Sequence, residues 1–486
     1  MILRPPHRSG AGLRRGPHRG QRGQALVWLL GTMAASAALL YGVYNVGQIT
    51  SAKQKTLNAA DASALAGATV EARMLNLMAY NNRSLIANEV FAIQVVAMEG
   101  WFQYVQNTAD NIEDYARWIP YIGAYLSRVL TLIEEGVEAG EEALNAMLPV
   151  MIGALEVMKT ATAVAHEGFR TTGSVMAQDA AKDVVAANKA AWGKHEDTGP
   201  QVEDRGAVQV FTTVRNFDQW RNFTRRYSGN DRKDAADILK ASRDEFTGRS
   251  RPGAFWMTPS LGLVGFEKMG STELKSFDRW ETQDTYEFWN YGFCKSWKKC
   301  YTEIGWGRSN LDRNGSRGSR WSPGRDAQSD AYSDGHTHGS WSGVPAVYDI
   351  ADKSTNTRET LGLDFVMAVK RNQAATLTSS TMGVAKKADA VTGSVDMDER
   401  LLGQQVSALS KARVYFERPQ STLGDKTATA LFRHDGAKEY GSLFSPFWQA
   451  RLTPVTTTER TAYMTALGMN PVDAAATAAF SPGGGN

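Results

Sequence analysis

No charged residue occurs from Gly23 to Ala52, and the stretch "QALVWLLGTMAASAALLYGVYNV" (24–46) is apolar almost throughout. As a helix it would be about 35 Å long against a hydrocarbon thickness of about 30 Å, which predicts a transmembrane helix over 24–50. The triplet "ASA" (35–37) offers a signal-peptidase site, but the apolar run continues well past it, favouring a retained anchor. From 51 to 118, apolar positions such as Leu57, Ala60, Ala64, Ala68, Leu75, Met78, Ile86, Val90 and Ile93 recur at threes and fours. The pattern predicts one long helix continuous with the span and projecting from the bilayer, ended by Pro120 and Gly123. A second amphipathic segment runs from Leu126 to Met158 with a kink expected at Pro149, and an alanine-rich third covers 172–193. Together they read as a helical stalk or hairpin.

After "HEDTGPQ" (195–201) the pattern changes, and eight of the thirteen tryptophans fall between 220 and 341. Short apolar runs at 207–214, 262–266, 343–350, 361–371 and 413–419 read as strands, while 231–246 and 398–412 read as helices. Residues 308–330, rich in Gly, Ser and Arg, read as a loop. The expected fold class is α+β. Its parts are a basic cytoplasmic tail (1–23), the transmembrane helix (24–50), the helical stalk or hairpin (51–194), a mixed α/β, aromatic-rich exported domain (195–470) and a flexible tail (471–486).

Charge sets the orientation. Six arginines and no acidic residue precede the span, whereas the rest of the chain has 48 basic against 51 acidic residues. The positive-inside bias places the N-terminus in the cytoplasm and everything beyond the span outside it. Trp28, Tyr41 and Tyr44 suit interfacial anchors, and Ala34, Ala38 and Gly42, spaced by four, form a small-residue face in the span. Cys294 and Cys300 lie in the part expected to be exported, where an even pair favours a disulfide closing a short loop.

Candidate chemistry is sparse. Neither phosphate-binding glycine motif occurs, and "GSWSG" (339–343) has Trp341 where a hydrolase elbow needs serine. Asp334, His336 and His338 lack a recognisable fourth partner, so a polar loop is expected rather than a metal site, and no cofactor is implied. Mixed acidic residues among the Arg/Trp segments argue against nucleic acid, and no small-molecule substrate is indicated. "NLMAYNNRSLIANE" (76–89) sets Asn76, Asn81, Asn82 and Asn88 into a helix they favour poorly, as a solvated face or as a contact for a partner subunit.

"RGQALVWLL", one span, and then "KQKTLNAADASALAGA" resemble the N-terminal region of the TadE/TadG-like family of Flp (tight-adherence) pilus assembly proteins. Leu57, Asn58, Ala60, Asp61, Ala64 and Gly67 carry the motif, with Ser63 at an alanine position; "LNLMAYNNRSLIANEVFAIQ" and "VYFERP" look like the TadG-related branch. The resemblance implies a pseudopilin-like, non-catalytic, membrane-anchored assembly component whose partners are the inner membrane and other pilus-assembly or pseudopilin subunits. Trp28 stands where pilin-type processing after Gly23 would want glutamate, and the D-x-S-x-S motif of larger family members is missing. Asp61 reads either as a solvated charge or as a salt bridge to a neighbouring subunit. Two alternatives come from other classes: an anchored or secreted cell-envelope hydrolase using His336 and His338, and a released adhesin.

Overall fold

The computed structural model describes residues 24–116, 123–192, 199–248, 264–291, 298–321, 326–352, 361–372, 405–418 and 440–480. No proline interrupts residues 24 to 116, and α1 (Gln24–Ala116) is a single helix of 93 residues. α2 (Gly123–Trp192) follows as one 70-residue helix that contains Pro149, so the two helical segments expected there are continuous. The rest of the chain forms β1 (Gln201–Val202), α3 (Gly206–Gln209), α4 (Arg215–Phe223), β2 (Thr224–Tyr227), α5 (Lys233–Ala241), β3 (Val264–Ser276), β4 (Arg279–Tyr291) and β5 (Lys299–Asp312). Then come α6 (Asp326–Asp334), β6 (His336–His338), β7 (Val347–Ile350), β8 (Gly362–Asn372), β9 (Gln405–Phe416), β10 (Trp448–Thr453), α7 (Thr457–Ala466) and α8 (Pro471–Phe480). The architecture is mixed helix and sheet: a long apolar N-terminal helix, a second helix, then a strand-rich region.

Two compact units emerge. The first comprises residues 1–60, 185–203 and 368–409. In it β1 pairs antiparallel with the end of β8, Val202 opposite Val369, and Glu203 donates its N–H to the Ala368 carbonyl at 3.0 Å. The second comprises 61–184, 204–367 and 410–486. Its meander β3–β4–β5 is antiparallel, with β6 added parallel to β5 so that Ser309 faces His336 and Leu311 faces His338. A smaller ribbon pairs β2 with β7, and β9 pairs with β10 from Phe416–Trp448 to Lys411–Thr453.

Between residues 61 and 111 one face of α1 packs into the core of this second unit, where the sequence pattern predicted a projecting stalk. Ala64, Ala68, Leu75, Met78, Ala79 and Ala97 have no exposed surface. Ile86, Ile93 and Val96 of α1 share a core with Leu148 and Ile152 of α2, Leu239 of α5, and Trp280, Leu311 and Trp341. The sheet admits the helix through glycine. A Cβ at Gly305 would strike Thr108, and one at Gly307 would strike the backbone of Gly100 and Tyr104, so "GWG" in β5 lets α1 lie directly on the strand.

Several sequence expectations change. Residues 207–214 form α3 and a π-turn rather than a strand; Val208 is fully buried and Thr212 Oγ1 donates to its carbonyl at 3.0 Å, so the Val/Thr pattern serves a helix face. Residues 405–412 belong to β9 rather than to a helix, because Ala408, Ser410, Ala412 and Val414 are buried at every second position; residues 398–404 lie outside the described residues. The loop expected over 308–330 is shorter, since 308–312 end β5 and 326–330 begin α6. The expected flexible tail begins as α8, with Ala474 and Ala478 buried; 481–486 lie outside the described residues.

Candidate functional site

The helix bearing the "LNAADASALAGA" motif is shaped by small residues on its inner face. Ala60 and Ala64 have no exposed surface, while Leu57 is 42% exposed and Asn58 is also exposed. Gly67 gives Phe365 of β8 its room, because an added Cβ would lie 2.3 Å from the edge of that ring. Asp61 accepts a hydrogen bond from Ser410 Oγ at 2.5 Å, so its described partner belongs to the same chain. In the anchor segment the character reverses: Trp28 is 75% exposed, Tyr44 is 40% exposed, Ala34 and Ala38 are exposed, and Tyr41 and Gly42 are partly so.

A row of polar side chains on α1 then reaches strands and loops far along the chain. Asn76 makes a two-way pair with the Trp448 backbone, donating to its carbonyl at 3.0 Å and accepting its N–H at 2.9 Å. Fully buried Asn82 donates to the Tyr348 and Leu443 carbonyls at 2.7 and 2.6 Å. Gln103, Asn107 and Asn111, four residues apart, donate to the carbonyls of Asp334, Trp306 and Ile304. Asn76 and Asn82 therefore meet main-chain groups of their own chain, where neither a solvated face nor a partner contact was needed to explain them. Buried carbonyls beside a helix require donors, and the carboxamide supplies them without charge.

Two carboxylates on the same helix gather the remaining charge. Lys159 of α2 lies 2.6 Å from Glu89 and 2.7 Å from Glu156, and also donates to the Gly343 carbonyl at 3.0 Å. The Trp341 indole donates to Glu89 at 2.7 Å, which seats "GSWSG" as a docking loop. Burial raises the Glu89 pKa, although Lys159 and Trp341 pull it down. One helical stretch on, Glu99 lies 3.2 Å from His336 Nδ1 and 2.7 Å from His338 Nε2 and accepts from the Ser309 hydroxyl. Burial opposes the Glu99 charge, but these three partners outweigh it and hold its pKa at about 2, while Glu99 raises that of His336. Asp334 turns elsewhere, accepting from the Trp306 indole at 2.9 Å. Among the described residues no group of three His, Cys, Asp or Glu is arranged to hold a metal ion. Glu71 is a third buried carboxyl; burial, followed by nearby Asp364, raises its pKa well above the usual range, and its oxygens have no hydrogen-bond partner among the described residues.

Residues 23–70 match the Tad family model, described as putative Flp pilus-assembly TadE/G-like. The segment is TadE/G-like. No curated protein and no solved structure matches the chain. The TadE/G-like segment spans the apolar helix start and the motif residues Leu57 to Gly67. Among the described residues two helical stretches are long and apolar enough to cross a membrane: Ala25–Asn111, whose most apolar window is wholly unburied, and Gly136–Ala191, whose window is 11% buried. The second contains Leu148 and Ile152, which belong to the core of the second unit. Cys300 is disulfide-bonded, and Cys294 lies outside the described residues, as do the six N-terminal arginines. The motif thus stood out in sequence, whereas Glu71, Glu89, Glu99 and the Gln103/Asn107/Asn111 ladder did not. The four-residue spacing of that ladder was the available signal.

Proposed function

We propose that the protein is a single-pass, inner-membrane component of a Flp/Tad-type pilus or secretion assembly, of the TadG-related branch, with its large domain in the periplasm. It is pseudopilin-like in its first seventy residues and acts by binding other subunits, without catalysis. The observation that carries this reading is the TadE/G-like match over 23–70, which begins where the exposed apolar helix begins. A bare apolar helix flanked by an arginine tail suits a bilayer. Partner recognition falls to the side of α1 that its own domain leaves open: Leu77 (42% exposed), Tyr80 (58%), Phe91 (45%) and Met98 (40%) recur at helical spacing there. Glu99 occupies His336 and His338, which supports a structural role for the pair over a hydrolytic one.

A photo-crosslinker placed at Leu77, Tyr80 or Phe91 in intact cells should capture a pilus or secretion subunit. Capture of none from any of the three positions would remove the assembly role. A C-terminal reporter active only outside the cytoplasm, combined with alkaline carbonate washing, tests the anchor: the reporter should be active and the protein should stay with the membranes.

A further inference from the structure

A cleft of about 500 Å³ opens in the second unit between the end of α4, the β2–β7 ribbon and α2. Its walls bring together Arg170, Arg221, Arg225 and Arg226 against a single carboxylate, Glu167. This concentration is local, because the chain beyond its N-terminal tail has slightly more acidic than basic residues.

Most of the local acid is already engaged. Glu167 accepts the Tyr348 hydroxyl and lies 3.6 Å from Arg170, and Asp231 takes up Arg225 at 2.7 Å. Arg221 and Arg226 are exposed and have no hydrogen bond or ion pair to other described residues, and Arg170, whose side chain is 27% exposed, keeps its Nε buried without a partner. Arg221, in the last turn of α4, also offsets the helix dipole, but Arg226 on β2 has no such duty. The Asn222 amide adds a neutral donor at the same wall. Guanidinium groups remain charged at any physiological pH and bind tetrahedral oxyanions through paired N–H bonds. The volume falls in the range of small-molecule sites and exceeds what a bare oxyanion fills.

We infer that this cleft binds a phosphate group carried on a larger body, with Arg221 and Arg226 as its principal ligands and Arg170 and Asn222 supporting them. The group could belong to a soluble phosphate ester or to a phospholipid headgroup; the chemistry at the arginines is the same. The inference does not depend on the assembly role, since a binding measurement reads the cleft whether or not any subunit is captured at α1.

The test uses the full-length protein in dodecyl maltoside, which carries no phosphate, titrated calorimetrically with inorganic phosphate and with glycerol 3-phosphate. Both should bind, glycerol 3-phosphate the more tightly, and Arg221→Gln/Arg226→Gln should weaken each at least tenfold while leaving the unfolding midpoint within a degree or two. Arg226→Lys should recover only part of the loss, because the charge returns without the fork. Repeating the titration in nanodiscs containing phosphatidylglycerol separates the sources: competition identifies the headgroup as occupant, and unchanged affinity identifies a soluble ester. Absence of binding in the phosphate-free detergent, or equal binding by wild type and the double variant, would overturn the inference.

Discussion

Asn82 has no exposed surface, and its amide nitrogen satisfies two carbonyls that water cannot reach. Asn82→Ala should cost about 2–4 kcal/mol in denaturant unfolding, since each orphaned buried acceptor costs about 1–3 kcal/mol. Gly67 tests shape instead of polarity. Gly67→Ala drives a methyl into the Phe365 ring, for about 1–3 kcal/mol of overpacking, and Phe365→Leu in the same chain should recover part of it in a double-mutant cycle. Glu71 tests charge. Its pKa is raised by burial, so the proton it holds in the fold stabilises fully below the unfolded value of about 4.3, and that contribution is lost as pH rises through the folded value. Glu71→Gln fixes the neutral form and should raise the unfolding midpoint at pH 8 by a few degrees, with the gain gone near pH 4.

At the level of elements, α1 and α2 are joined by a buried ion pair, Glu89 with Lys159. Lys159→Met should cost about 3–5 kcal/mol at pH 8 by leaving a buried carboxylate uncompensated. The loss should shrink toward pH 5, where Glu89 can take up a proton. The helices themselves were readable because apolar residues at threes and fours are a local signal. So were β8 and α5, each with its pattern intact from end to end. β9 was not: "VSALSKA" is built from small and polar residues that suit a helix equally, and only pairing with β10 decides the matter. The same holds for "AVQVFTTV", which reads as a strand until Val208 is seen buried within a helix. The motif helix was legible residue by residue, but which of its faces meets its own domain was not. That depends on Phe365, Ser410, Leu443 and Trp448, which lie some three hundred residues or more away.

Across the whole molecule, opposed titrations shape acid stability. Glu99 and Glu459 have depressed pKa values of about 2, each despite burial, so their contributions are present above about pH 4.3 and lost as pH falls toward 2. Glu71 and Glu89 act with the opposite sign, and the histidines divide: His336 is raised by Glu99, whereas buried His166 is lowered. The urea midpoint of the full-length protein in detergent should therefore be highest in mild acid, near pH 5, and fall steeply between about pH 4 and 2. Glu99→Gln should flatten that steep limb. The long reach of α1 also has a consequence for biogenesis. Asn76 waits for a partner 372 positions downstream, so this stretch of helix stays unsheathed until that partner has been synthesised. Throughout that interval Asn76 is fair game for proteases and for holding factors, and a transcript cut short before Leu443 deprives Asn76 of Trp448 and Asn82 of one of its two carbonyls.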